Sequence, residues 1–323
     1  MAKRQFSIFR NISMALEAGF ILPFVYLLSL FPFEKLFGIS KSIGFFLFKI
    51  SPQKKQEILE NLKVINPQKP WSNKELDWIG SVLMGYPLRI FVETIKLGRM
   101  GFQDRISYMR IVHPQVFAYG YRLQQEKIPV IFITLHAGNW EFYGQLMNDL
   151  GFRMASVVER QFNPFLDKHF QYLRRKIGII PVYNEISQLK PIIQYLKSGD
   201  SVALVADQNH WFDPVFIDFF GHEAAAPKGI ANLILRTQAQ LMYGASFYCG
   251  QGKYLFESFV PGCFELSDNK EQNVIDIMTF VYRYFESVIL KDLSNWYSLG
   301  FSRWNLTRES LAEWKKNPDS DPW

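Results

Sequence analysis

Ile131-Phe132-Ile133-Thr134-Leu135-His136-Ala137-Gly138-Asn139-Trp140-Glu141 is the stretch whose reading decides the fold. An apolar, partly β-branched run ending in histidine predicts a buried strand that delivers its last side chain to a surface crevice. Gly138 and Asn139 break that strand, and Trp140 to Leu150 reads as a helix closed by Gly151. A histidine at a strand's carboxyl end and a glutamate in the first turn of the following helix can face each other. Together they would make a general base, the carboxylate fixing the tautomer and stabilising the imidazolium. A lone strand-end histidine is more often a satisfied buried group. The flanking Gly-Asn-Trp and the nearby Glu141 favour chemistry, so His136 and Glu141 are the expected catalytic pair.

Outward from this stretch, strands and helices alternate from Pro129 onward. Met154–Val158, Ile179–Val182, Ser201–Ala206, Val215–Phe220, Gln240–Tyr248 and Tyr254–Val260 read as strands. Asn163-Pro164 is an N-cap and N1 pair opening a helix to Ile177, whose buried stripe is Leu166, Phe170, Leu173 and Ile177. Ile186–Ser198 and the segment marked by Val274, Ile277, Val281, Phe285 and Val288 are further helices. Residues 52–128 read as helical throughout, with one helix starting after Pro87. The fold class expected is α/β: a mixed, largely parallel central sheet flanked by helices, with an N-terminal membrane-anchoring helix.

That anchor is Ala18 to Phe33, a run without charge between Glu17 and Glu34. It falls short of the roughly 20 apolar residues of a full span, and Pro23 and Pro32 argue against one straight helix. Lys3, Arg4 and Arg10 precede it as in a signal peptide, but no small-residue cleavage site follows. The reading is an uncleaved anchor, either spanning or interfacial. Ile43 to Ile50, with Lys41 and Lys49, is a second segment able to lie along head groups. The expected organisation is an anchor and interfacial helix over 1–50, an α/β domain over 51–311 with a helical first part, and a flexible tail over 312–323.

Bulk composition narrows the partners. Of 323 residues, 48% are hydrophobic, which supplies a core and excludes wholesale disorder. Thirty Phe suit contact with acyl chains or bilayer as well as an ordinary core. A net charge of +6 favours acidic partners such as phospholipid head groups or an acidic carrier protein. No dense basic stripe interleaved with aromatics is present, which speaks against nucleic acid. Cys249 and Cys263 lack metal-ligand spacing and read as free, buried thiols in a reducing compartment.

Ligand sites in open α/β sheets gather outside the carboxyl ends of strands. His136, Glu159-Arg160 and Asp207-Gln208 each follow such a strand and would converge on one crevice if the strands are parallel. Ala224-Ala225-Ala226-Pro227 and Gly229 form a loop-to-helix junction with free backbone N–H groups, or simply a proline-started helix. The chain has no P-loop, dinucleotide fingerprint or Gly-x-Ser-x-Gly elbow.

These residues resemble the lipid A biosynthesis acyltransferases, within the wider lysophospholipid acyltransferase-like group. His136-x4-Glu141 is similar to that group's His-x4-Asp/Glu motif. Glu159-Arg160 with Asn163-Pro164-x-x-Asp167 resembles its Arg-x-x-x-Asn-Pro-x-x-Asp block, one residue shorter. Arg174-x-x-x-Gly178, Asp207-Gln208, Phe219-Phe220-Gly221, Pro227-x-Gly229 with Arg236-Thr237, Asn295-Trp296-Tyr297 and Arg303-Trp304 follow in order. Asn209 replaces a frequent acid, Gln238 a common glycine, and the last segment is spaced differently.

The resemblance implies transfer of a fatty acyl chain from acyl carrier protein, or acyl-CoA, to a hydroxyl of a lipid A precursor at the bacterial inner membrane, with the catalytic domain facing the cytoplasm. His136 would act as base oriented by Glu141, and Arg174 would bind substrate phosphate or developing charge. Arg160, Asn139, Asp207 and Gln208 would line the substrate site. It implies no metal and no cofactor beyond the acyl donor. Two alternatives stay open: another lipid acceptor (a lysophospholipid, ornithine lipid or glycolipid), and a non-catalytic membrane-associated lipid-binding protein.

Overall fold

A computed structural model describes residues 8–262 and 264–316. Lys3, Arg4, Cys263 and the end of the expected tail, 317–323, lie outside the described residues. The N-terminal part comprises helices α1 (Ile8–Leu28), α2 (Phe33–Lys49), α3 (Pro52–Ile65), α4 (Asn73–Leu97) and α5 (Phe102–Ile106). Then follow β1 (Met109–Val112), α6 (Pro114–Gln125), β2 (Val130–Thr134), α7 (Trp140–Asp149), β3 (Met154–Val158), α8 (Pro164–Lys176), β4 (Ile180–Tyr183), α9 (Leu189–Lys197) and β5 (Ser201–Val205). The last part holds β6 (Val215–Phe219), β7 (His222–Ala226), α10 (Gly229–Thr237), β8 (Gln240–Tyr248), β9 (Tyr254–Phe259), α11 (Lys270–Ile289) and α12 (Arg308–Lys316).

Seven strands form one sheet in the order β1-β9-β8-β2-β5-β3-β4, and β6 pairs with β7 in a separate hairpin. Every neighbouring pair in the large sheet is parallel except β8 with β9. The mixed, largely parallel sheet flanked by helices is therefore as expected. Central β2 is apolar from Val130 to Ile133 because helices cover both of its faces: Ile131 and Ile133 belong to one buried cluster, Val130 and Phe132 to another.

Five local expectations are corrected. Pro87 lies inside α4 rather than at a helix start, and Pro23 likewise lies within α1. Packing along the whole of each helix outweighs one missing N–H. Residues 52–128 are not all helical, because Met109–Val112 finds a parallel partner in β9. His222–Ala226 is a strand rather than a loop, held by the hairpin whose turn residues Phe220 and Gly221 both have positive φ. Helix α12 continues to Lys316, its Trp314 packing on Trp211 and Phe212, where the sequence suggested a frayed tail. Cys249 is exposed, not buried.

Helix α2 is laid almost backbone-to-backbone on α4. A Cβ added to Gly44 would sit 2.0 Å from the Ser81 carbonyl oxygen, and one on Gly85 would sit 2.2 Å from that of Ser40. This crossing buries Ser40, Gly44 and Phe48 and leaves Phe45, Phe46 and Ile50 exposed. Lys49 pairs with Asp77, and Lys41 lies over the Trp78 ring. Gly38, on the same helix, has open space where its Cβ would be. Gly44→Ala should therefore cost about 1–3 kcal/mol by overpacking. Gly38→Ala should be neutral or stabilise by up to about 1 kcal/mol through helix propensity. Urea unfolding of the two variants tests the crossing; equal midpoints would refute it.

Candidate active site

The register of β2 with β5 builds the site. Thr134 pairs with Val205, so two residues further on His136 stands opposite Asp207, both just past the carboxyl ends of adjacent parallel strands. The His136 ring Nδ1 lies 2.7 Å from Asp207 Oδ1, which also accepts the His136 backbone N–H at 3.0 Å. With the carboxylate as acceptor, Nδ1 carries the proton and Nε2 is left as the basic nitrogen. The imidazole is one-fifth exposed, whereas Asp207 is fully buried.

Asp207 is held from every side. Its Oδ2 accepts from Trp296 Nε1 at 2.8 Å and from Ser298 Oγ at 2.6 Å. Its backbone carbonyl accepts from Arg303 Nε at 2.8 Å, and Tyr282 Oη donates to the preceding carbonyl of Ala206. Burial alone would raise the Asp207 carboxyl. The His136 charge and the hydrogen bonds from His136, Ser298 and Trp296 outweigh it and hold the group at about 2.

The loop that carries His136 is equally tied. The His136 carbonyl accepts from the Tyr297 N–H at 2.7 Å, and the Gly138 N–H donates to the Asn295 carbonyl at 3.0 Å. Gly138 has φ of +57°, and a Cβ there would sit 2.0 Å from the Ser246 carbonyl oxygen, so the close approach to β8 requires glycine. Trp140 stands edge-on to the imidazole with ring centroids 4.7 Å apart, and Tyr297 and Tyr86 complete an aromatic wall.

The sequence reading expected Glu141 to supply the carboxylate seen by the imidazole; Asp207 supplies it instead. The Glu141 oxygens accept from Arg174 Nε at 3.0 and 3.2 Å and from Nη2 at 2.6 Å, and both side chains are buried. Glu141 sits in the first turn of α7, and the bidentate fork of α8's Arg174 claims it. Arg174 is correspondingly not a free anion receptor: Glu141 holds two of its nitrogens and Gln171 Oε1 accepts from the third at 3.3 Å. Asp167 links this cluster outward, accepting from Gln171, from the Gln161 N–H and from Tyr183 Oη.

The remaining expected site residues divide. Asn139 is buried and caps α7, its side chain accepting from the Phe142 N–H and donating to Glu93 at 2.6 Å. It positions the loop rather than lining an open surface. Arg160 is exposed, paired with Glu185 at 2.6 Å and stacked over Tyr183. Gln208 is exposed beside Asp207. Sequence reasoning missed Glu93, a fully buried carboxyl on α4 that also accepts from Tyr254 Oη at 2.6 Å. Burial raises its pKa against the opposing effects of Arg89 and the two hydrogen bonds. The signal available was an acidic residue directly after the apolar run Ile90-Phe91-Val92. Trp296, Ser298 and Arg303 were marked only by resemblance or not at all. Among the described residues no group of His, Cys, Asp and Glu is arranged to hold a metal ion.

Comparison with known proteins adds to this geometry. Residues 5–304 match the model of a family described as bacterial lipid A biosynthesis acyltransferase. The chain belongs to this acyltransferase family. Among curated relatives, lipid A biosynthesis acyltransferase 2 of Shigella flexneri is 24% identical over 258 residues, covering 78% of this chain and 79% of that protein. Lipid A biosynthesis myristoyltransferase of Escherichia coli (strain K12) is 23% identical, covering 65% and 63%. Phosphatidylinositol mannoside acyltransferase of Mycobacterium tuberculosis (strain CDC 1551 / Oshkosh) is 27% identical over 120 residues, covering 36% and 38%. Family membership makes this chain an acyltransferase that acts on lipid acceptors.

Two outcomes follow from the carboxylates of this acyltransferase. Glu141→Ala should destabilise the fold by about 3–5 kcal/mol, because it strands a buried guanidinium; chemical denaturation measures this. Asp207 has a folded pKa below its unfolded value of 3.8. Its stabilising contribution is therefore complete above about pH 4 and is lost as pH falls toward about 2. The stability gap between wild type and Asp207→Asn should narrow over that window, and a gap independent of pH would contradict the arrangement.

Proposed function

We propose that this protein transfers a fatty acyl chain from an acyl carrier protein thioester, or acyl-CoA, to a hydroxyl of a lipid A precursor. The observation that carries this reading is a partly exposed imidazole whose Nδ1 is tied to a buried, ionised carboxylate, on a chain of the lipid A acyltransferase family. His136 Nε2 takes the proton of the acceptor hydroxyl as its oxygen attacks the thioester carbonyl carbon. The carbon–sulfur bond then breaks, and the departing thiolate takes the proton back from His136. Asp207 keeps the ring in the required tautomer and balances the transient imidazolium. The basic net charge suits both an acidic carrier protein and a phosphorylated lipid.

In this reading Glu141 acts through Arg174. Their ion pair fixes the first turn of α7 against α8 and so holds Trp140 beside the imidazole. Arg160 and Gln208, being exposed near the strand ends, are the residues proposed to meet the acceptor's polar part. The enzyme would work at the bacterial inner membrane with this domain on the cytoplasmic side, where acyl carrier protein and acyl-CoA are found. Helix α1 supports the membrane assignment, since Phe9–Leu28 is long and apolar enough to cross a bilayer.

The partial match to a phosphatidylinositol mannoside acyltransferase supports a second reading, in which the same chemistry serves another glycolipid acceptor. Mass spectrometry of the lipids of a deletion strain separates the two: loss of one acyl chain from lipid A supports the first, and an unchanged lipid A with an altered glycolipid supports the second.

With a labelled acyl donor in detergent, His136→Ala should lose at least the roughly 10²–10⁴-fold that a positioned base contributes. Asp207→Asn should lose more turnover than Glu141→Gln. The reverse order would return the role of imidazole partner to Glu141, and near-wild-type turnover in His136→Ala would end the assignment.

A further inference from the structure

Helix α1 has two apolar faces with different fates. Met14, Ala18, Val25 and Leu28 are buried against the domain. Ile12, Leu16, Phe20, Phe24 and Leu27 recur at helical spacing on the opposite side and are exposed, Phe20 to 80%. No charged residue interrupts this outer row. Exposed Arg99 and Lys35 lie beyond its C-terminal end.

The inner face is clamped along its length. Arg10 lies over the Phe162 ring at 5.0 Å. Asn163 Nδ2 donates to the Met14 carbonyl at 2.9 Å and to Glu17 Oε2 at 3.1 Å. Tyr26 Oη pairs with His169 Nε2 at 3.1 Å, and Arg99 Nη1 donates to Ser29 Oγ at 2.8 Å. At about 1.5 Å per residue these clamps stretch over roughly 28 Å of helix, close to the thickness of a bilayer's hydrocarbon core.

We infer that α1 does not cross the membrane but lies in its surface plane, its outer row sunk among the lipid acyl chains and its inner face remaining on the domain. A perpendicular helix keeping these clamps would draw Arg10, Glu17, Asn163, His169 and Arg99 to different depths of the hydrocarbon. Charged side chains there cost at least about 2.5–3.5 kcal/mol each. An in-plane helix needs to enter only about 5–10 Å, which leaves every clamp at the head groups or in protein. The flanking cations suit an anionic lipid surface. The occupant of this face is thus the bilayer itself. The inference deepens the membrane assignment proposed above and is independent of the acyl-transfer chemistry.

The test uses the full chain with Cys249→Ser and Cys263→Ser, carrying Ile12→Cys, Phe20→Cys or Leu27→Cys singly and labelled with an environment-sensitive fluorophore. Each is bound to phosphatidylglycerol–phosphatidylethanolamine vesicles containing lipids with quenchers at known depths. Equal, shallow depths at all three positions are the expected result. A deep Phe20 position between two shallow ends would mean a spanning helix and would overturn the inference, as would absence of quenching. Flotation of the unlabelled protein with the same vesicles separates the failures. A protein that fails to float sinks the membrane assignment as well, and one that floats with graded depths sinks only the in-plane orientation. Leu16→Glu with Phe20→Glu should weaken vesicle binding more than tenfold without altering thermal unfolding in detergent, because both side chains are exposed.

Discussion

Everything at the strand ends depends on how β2 is registered against β5. Parallel pairing from Val130 with Ser201 to Thr134 with Val205 carries His136 and Asp207 two residues past the ladder, side by side. A slip of one residue would turn each side chain to the other face of the sheet and separate imidazole from carboxylate. The register is safe because β2 and β5 are interior strands, β2 between β8 and β5 and β5 between β2 and β3. The site is thus specified by packing of residues that take no part in it.

Two carboxylates near one histidine invite a single assignment, and the structure divides them instead. Asp207 is fully buried yet accepts four hydrogen bonds, which is how it stays ionised in a place where burial alone would favour protonation. Its donors come from β2's continuation and from the C-terminal segment around Trp296 and Ser298. That segment therefore closes the site as well as the fold. Glu141 meets a guanidinium, and the pair satisfies itself. One carboxylate conditions the ring; the other locks two helices.

Much of the sheet was legible because buried parallel strands are near-continuous apolar runs. Met154–Val158 and Gln240–Tyr248 were read with their observed bounds for that reason. Met109–Val112 was not, being short, interrupted by Arg110 and defined only by pairing with a strand more than 140 residues later. His222–Ala226 was not either, since alanines carry little strand preference and the hairpin turn decides. His136, Asp207 and Arg174 were each singled out as site residues, but the pairing of His136 with Asp207 and of Arg174 with Glu141 was not foreseen. Short spacing linked His136 to Glu141, whereas the contact that forms joins residues 71 apart, through a register that no local pattern records.

The position of α1 bears on how a lipid would reach that histidine. α1 rests on α4 and α8, and these same helices supply Glu93, which holds the N-cap of α7, and Arg174, which holds its first turn. A surface that binds bilayer through the outer row of α1 would thereby be mechanically continuous with the loop carrying His136. Under the proposed function the acceptor never leaves the membrane, so the domain has to work at the depth where the acceptor's hydroxyl lies. An in-plane helix clamped to the catalytic domain sets that depth by the rigid thickness of one helix layer. A flexible tether to a spanning segment would leave it undefined.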